Sequence, residues 1–154
     1  MAVTEGDKAP SFKLATEDGG SISLARLKGH PFVLYFYPKD DTSGCTKEAI
    51  EFSAALKKFE KLGVSILGVS KDSLVSHEKF RKKHKLKIAL GSDPDVETAE
   101  AYGVWGEKTL YGRKYMGMER ATFLIDAKGV VRQIWRKVKV PGHVEAVLAA
   151  AKTL

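Results

Sequence analysis

Apolar and polar positions alternate between two periods along the chain, and the alternation predicts strands and helices in turn. The run FVLYFY, Phe32 to Tyr37, is apolar throughout and is stopped by Pro38, as expected of a strand buried on both faces. From Thr46 to Leu62 the residues Ala49, Phe52, Leu56 and Phe59 recur at helical spacing with Lys and Glu between them, and Gly63 supplies a C-terminal stop. VSILGVS, Val64 to Ser70, reads as a second buried strand, Ser73 to His84 as a helix, and Ile88 to Leu90 as a short strand. A further helix starts within SDPDVETAEAYGV, with Asp95 near its N-cap. The runs ATFLID and VVRQIW are strand-like and are separated by Ala127, Lys128 and Gly129, a hairpin signature. Pro141 and Gly142 lead into a last helix, His143 to Lys152. A parallel βαβ core joined to an antiparallel hairpin predicts an α/β fold with a central mixed sheet flanked by helices.

Length and composition fit this layout, which is thioredoxin-like. The 154 residues predict one domain spanning 1–154, and a chain of about 150 residues buries roughly 68–70% of its unfolded surface. The N-terminus MAVTEGDKAP has no apolar segment of signal-peptide type, and Phe32 to Tyr37 is far short of a membrane span. The expectation is a cytoplasmic protein, neither exported nor membrane-spanning. The single cysteine excludes an internal disulfide and any cysteine-cluster metal site. A net charge of +7 raises nucleic acid as a partner. The basic residues are dispersed, however, and the denser stretches Lys79 to Lys87 and Arg132 to Lys139 fit solvated faces. KGHPFVLYF approaches an RNA-binding signature but has His30 and Pro31 where an aromatic and a small residue are required. No nucleic-acid partner is expected.

The one cysteine, Cys45, lies in PKDDTSGCTKEAI, between a strand ending at Tyr37 and the helix that follows. Thr42 or Ser43 is placed to cap that helix, so the thiol falls in its first turn. Unpaired N–H groups and the positive end of the helix dipole favour an anion there, and the thiolate is the nucleophilic form of cysteine. A buried, inert cysteine is the alternative, but such residues usually lie within apolar runs, whereas Gly44 and Thr46 flank this one.

Pro38-x-x-x-Thr42-x-x-Cys45 matches the active-site motif of the peroxiredoxins, and FYPKDDTSGCTKEA resembles the bacterioferritin comigratory protein branch, also called peroxiredoxin Q. The resemblance begins at GDKAPSF, runs through SDPDVETAEAYGVWGEK and ends in YMGMERATFLID, three blocks covering nearly the whole chain. It implies a thiol-dependent peroxidase acting on hydrogen peroxide and alkyl hydroperoxides, with no cofactor and no metal. Cys45 would attack the peroxide and become a sulfenic acid. Arg120, at the position of the family's active-site arginine, would face both the sulfur and a peroxide oxygen. Thr42 would accept the peroxide proton and donate to its oxygen, and the N–H groups of Gly44 and Cys45 would be further donors. Pro38 would shape the loop and shield the thiolate from water, and Glu48, one turn after Cys45, would hold Arg120. Tyr37, Trp105 and Phe123 are candidates for the pocket wall or for core. His30, His77, His84 and His143 show no metal-ligand spacing and read as structural or exposed.

The chain departs from the family at two places. Many members carry a resolving cysteine five residues after the first; here that position is Ile50, free to pack as an apolar residue. The sulfenic acid must therefore be reduced by an outside thiol, for which thioredoxin, glutaredoxin and glutathione are candidates. Ser43 replaces the proline usual in this branch. The branch it resembles is often monomeric, though related peroxiredoxins form dimers, and a monomer is expected. Two other chemistries lack their signatures: a thioredoxin-type oxidoreductase needs Cys-x-x-Cys, where Lys47 and Glu48 stand, and a cysteine hydrolase needs a histidine base, which no local motif supplies.

Overall fold

A computed structural model describes residues 3–154 of the chain. The first elements are β1 (Lys13–Thr16), β2 (Ser21–Ser23) and the short helix α1 (Leu24–Leu27). A βαβαβ segment follows: β3 (Phe32–Phe36), α2 (Ser43–Lys61), β4 (Ser65–Ser70), α3 (Leu74–His84) and β5 (Ala89–Ser92). Next come α4 (Glu97–Ala101), β6 (Trp105–Leu110), β7 (Arg113–Met118), β8 (Ala121–Ile125), β9 (Val131–Trp135) and α5 (His143–Ala151).

Seven strands form one sheet in the order β2-β1-β5-β4-β3-β8-β9. The three central strands β5, β4 and β3 are parallel, while β1 and β8 join them antiparallel on either side. This is the mixed sheet the sequence predicts. Every residue of β3 is buried, which explains why its sequence shows no polar alternation: both faces are covered. Phe32, Leu34 and Phe36 pack with Phe12, Tyr102, Val104 and Phe123 on one side. Val33 and Tyr35 pack on the other against Ala49, Phe52 and Phe59 of α2, Phe80 of α3 and Val147 of α5. Tyr35 lies over Gly68 so closely that a β-carbon there would stand 2.7 Å from its hydroxyl. Among the described residues no helix is long and apolar enough to cross a membrane.

The sequence reading assigned no elements to β1, β2 and α1, and beyond β5 two further differences have local causes. The first is an additional antiparallel pair, β6 with β7, which forms a separate two-stranded sheet. It escapes periodicity because most of its residues are exposed or half-buried on both faces. Its turn is nonetheless written in Tyr111 and Gly112, both at positive φ (52° and 76°), the conformation a two-residue hairpin turn requires. Secondly, Asp95 does lie beside the N-cap of α4, Val96, but it is Asp93 whose carboxylate accepts from the first-turn N–H groups, those of Thr98 at 3.2 Å and Ala99 at 2.9 Å. Helix α2 begins at Ser43 with Thr42 at its N-cap, which places Cys45 in the first turn as the sequence reading expects.

Candidate active site at the start of helix α2

The sheet delivers the chain to this site through Tyr37, whose N–H still bonds Val69 O at 3.0 Å. Pro38 and Lys39 are exposed, Asp40 turns inward, and Asp41 adopts a left-handed φ of 59°. Thr42 then takes the N-cap position of α2. The first helical bond runs from Thr46 N–H to Thr42 O, so the N–H groups of Ser43, Gly44 and Cys45 precede it and have no helical acceptor. Cys45, the third residue of the helix, is a free thiol only 1% exposed.

Thr42 occupies the expected cap position, but its side chain does not cap. Its Oγ1 donates to Lys39 O at 2.9 Å, which pins the loop instead. A hydroxyl has one proton and two lone pairs, so this bond leaves Oγ1 as an acceptor. With its proton on Lys39 O, the Thr42 hydroxyl has no proton left for the donation expected of it.

Arg120 stands between β7 and β8, its backbone carbonyl held by Val138 N–H at 3.0 Å. Its guanidinium donates from Nη2 to Cys45 Sγ at 3.2 Å and from Nη1 to Glu48 Oε1 at 2.7 Å. Cys45 and Glu48 are three apart on α2 and therefore share a face, which lets one planar fork reach both. The close approach depends on Gly44, where a β-carbon would lie 3.1 Å from Arg120 Nη2. Glu48 is fully buried. Burial pushes its carboxyl up to about 7, against the charge and hydrogen bond of Arg120, which pull it down.

The second carboxylate oxygen, Glu48 Oε2, has no hydrogen-bond partner among the described residues and lies 3.9 Å from His143 Nε2. That imidazole is also buried, with Nε2 2.8 Å from Thr122 Oγ1. Burial first, and the charge of Arg120 second, pull His143 down to about 4.

A second buried network lies under the loop that precedes Cys45. Asp40 Oδ2 is 2.7 Å from His77 Nδ1 and accepts from Ser76 Oγ at 2.8 Å, while Oδ1 accepts from the Tyr37 hydroxyl at 2.6 Å. His77 Nε2 reaches Gly91 O at 2.9 Å. Asp40 N–H donates to Asp72 Oδ2 at 2.7 Å. Outside the loop, Lys83 and His84 of α3 pair with Asp41 at 2.7 and 2.8 Å. The loop is thus staked to α3 at Asp40 and Asp41.

The structure brings Cys45, Gly44, Glu48 and Arg120 together, with Thr42 at the helix cap above them. Pro38, expected as a shield, is exposed at the loop surface. Ile50 does not pack: it is 43% exposed on the outer face of α2. Tyr37 and Phe123 belong to the core, and Trp105 is half-buried with Lys71 Nζ 5.6 Å from its ring. His30 is exposed. Among the described residues no cluster of His, Cys, Asp and Glu could hold a metal ion. Sequence reasoning missed Asp40, His77, Thr122 and His143 as parts of the site's surroundings.

A model of the AhpC/TSA family matches residues 5–134. The peroxiredoxin Bcp of Bacillus subtilis is 45% identical over 154 residues, covering 100% of this chain and 98% of its own length. A structure of the Xanthomonas campestris bacterioferritin comigratory protein, described for its alkyl peroxide reduction activity, is 46% identical; it superposes with a TM-score of 0.88 over 92% of this chain and 90% of its own. A cysteine-to-serine mutant of Xylella fastidiosa PrxQ, 38% identical, reaches a TM-score of 0.94 over 99% of this chain and 98% of its own.

Proposed function

The chain belongs to the AhpC/TSA family and, within it, to the Bcp or peroxiredoxin Q branch, which makes it a thiol peroxidase, and we propose how its residues divide the work. Cys45 thiolate attacks the terminal oxygen of hydrogen peroxide or an alkyl hydroperoxide. An S–O bond forms as the O–O bond breaks, sulfur is oxidised to the sulfenic acid, and the departing oxygen takes a proton to leave as water or alcohol. The observation that carries this assignment is the single guanidinium shared between Sγ, at 3.2 Å, and Glu48, at 2.7 Å. Arg120 places a fixed positive charge where the sulfur holds negative charge and where the leaving oxygen gains it. Glu48 keeps the fork aimed. The free N–H groups of Gly44 and Cys45 supply further donors, and the open lone pair on Thr42 Oγ1 accepts a hydrogen bond from the peroxide O–H, whose proton stays with the reacting oxygens. Pro38 stiffens the turn out of β3.

Resolution comes from outside the chain, because Cys45 is the only cysteine. A reductant thiol condenses with the sulfenic acid to a mixed disulfide and releases water, and a second thiol frees Cys45. Thioredoxin, glutaredoxin and glutathione are the candidate reductants. The enzyme works as a single-domain monomer in the cytoplasm, without a nucleic-acid partner. The assay is peroxide consumption with a thiol reductant. Cys45→Ser is expected to abolish turnover, and a Cys45→Ser protein that still turns over would remove Cys45 from the mechanism.

A further inference from the structure

Arg120 is one cation facing two acids. Glu48 is 0% and Cys45 1% exposed, so an ionised carboxylate beside a thiolate would set two anions against one guanidinium out of contact with water. Like charges in such surroundings cost far more than at a surface. One proton retained on the carboxyl removes the excess, and the geometry leaves one place for it. Glu48 Oε1 is occupied by Arg120, whereas Oε2 has no partner among the described residues and looks across 3.9 Å at His143 Nε2. The imidazole is held there edge-on to Phe52 and Trp135, at ring separations of 6.1 and 5.9 Å.

We propose that Glu48 and His143 hold one proton between them while Cys45 is a thiolate, so that His143 is a positioning residue for the peroxidase reaction. The inference rests on Cys45 being the attacking thiolate. The proton count balances: the S–H bond breaks, an O–H bond forms at Glu48 Oε2, and the cluster's net charge is unchanged. The new O–H points at Nε2, and the gap closes by about 1 Å to a normal O–H···N length. Thr122 Oγ1, on the same nitrogen, donates to Nε2 when Glu48 is ionised and yields when Glu48 is protonated. With the carboxyl neutral, the charge of Arg120 is directed to the sulfur undivided. The other titratable groups near Glu48 are Glu51 on the same helix, which adds negative charge and favours the protonated carboxyl, and the buried Tyr35 hydroxyl of β3. Burial holds His143 neutral and able to accept.

The test is the acid limb of the pH–rate profile for peroxide reduction. His143→Leu is expected to move the half-maximal pH upward by about one unit, a tenfold change in proton equilibrium, because an ionised Glu48 then competes for Arg120. In a Glu48→Gln background the same His143→Leu change is expected to move nothing. A shift of equal size in both backgrounds, or none in either, overturns the proposal. Infrared spectra of the unsubstituted protein provide a second reading that needs no folded His143 variant. A protonated carboxylic acid C=O band should be present at neutral pH and missing in Glu48→Gln; its absence from the unsubstituted protein also overturns the proposal. Failure of the Cys45 assignment is distinguishable, since Cys45→Ser would then retain turnover whatever the carboxyl band shows.

Discussion

Asp40 and His77 meet at 2.7 Å beneath the loop that presents Cys45, both buried and 37 residues apart in sequence. The contact joins the end of β3 to α3 and fixes where Thr42 and the helix start must lie. Breaking a buried ion pair from one side typically costs about 3–5 kcal/mol. Asp40→Asn is therefore expected to lower stability by that order in denaturant unfolding, and to slow peroxide reduction by loosening the loop.

The same pair carries a pH dependence. Burial pulls the His77 imidazole down, but the hydrogen bond and charge of Asp40, with help from Gly91 and Asp72, outweigh it and raise His77 above its usual 6.5. His77 thus binds its proton more tightly folded than unfolded. The stabilisation is complete below 6.5 and is lost as pH rises through the folded value. Thermal unfolding should show a melting temperature that declines on the alkaline side of neutrality, and His77→Gln should flatten that decline. An unchanged slope in the variant would assign the decline to other groups.

Gly44→Ala separates fold from function. A β-carbon 3.1 Å from Arg120 Nη2 forces the guanidinium off its position over Sγ by a few tenths of an ångström. Misplacement on the scale of an ångström costs up to about 10²-fold in rate. Alanine in a helix meanwhile gains up to about 1 kcal/mol over glycine. The expected result is a protein at least as stable as the original, with kcat/KM lower by about tenfold or more. Unchanged kcat/KM would mean that the Arg120 position is not critical.

Arg120→Met should lose on the order of 10²–10³ in rate, the usual cost of one preorganised donor at developing charge. The fold should suffer much less, because Glu48, already pushed up to about 7, can take a proton when its partner is removed. Far-ultraviolet circular dichroism and peroxide kinetics on one preparation check both halves. Near-normal rates would place Arg120 outside the reaction.

The parts of this fold that were legible in the sequence are those where burial is one-sided or complete. The apolar run of β3 and the spacing of Ala49, Phe52 and Phe59 each report the neighbours they pack against. The β6–β7 hairpin packs few of its residues, so apolar periodicity had nothing to record there. The site was legible around Cys45 because the thiol and the N-cap position lie within one short segment, whereas the role of Glu48 came from the resemblance. Arg120 is 75 residues away and was placed by resemblance rather than by pattern. His77 and His143 could not be read as parts of it, since each meets its carboxylate only after folding has brought distant segments together.

The central claim is that Cys45 reacts with peroxide and depends on an outside thiol for its return. Ile50, exposed on α2 at the usual resolving position, offers no sulfur. The direct measurement is intact mass after one equivalent of hydroperoxide, with and without added thiol. Without thiol, the protein should gain one oxygen atom at Cys45 and stop, gaining a second as peroxide is raised. Glutathione or a thioredoxin system, added after the first oxidation, should return the original mass and restore turnover. An unchanged mass after peroxide, or a Cys45–Cys45 linked dimer as the main product, would contradict the account.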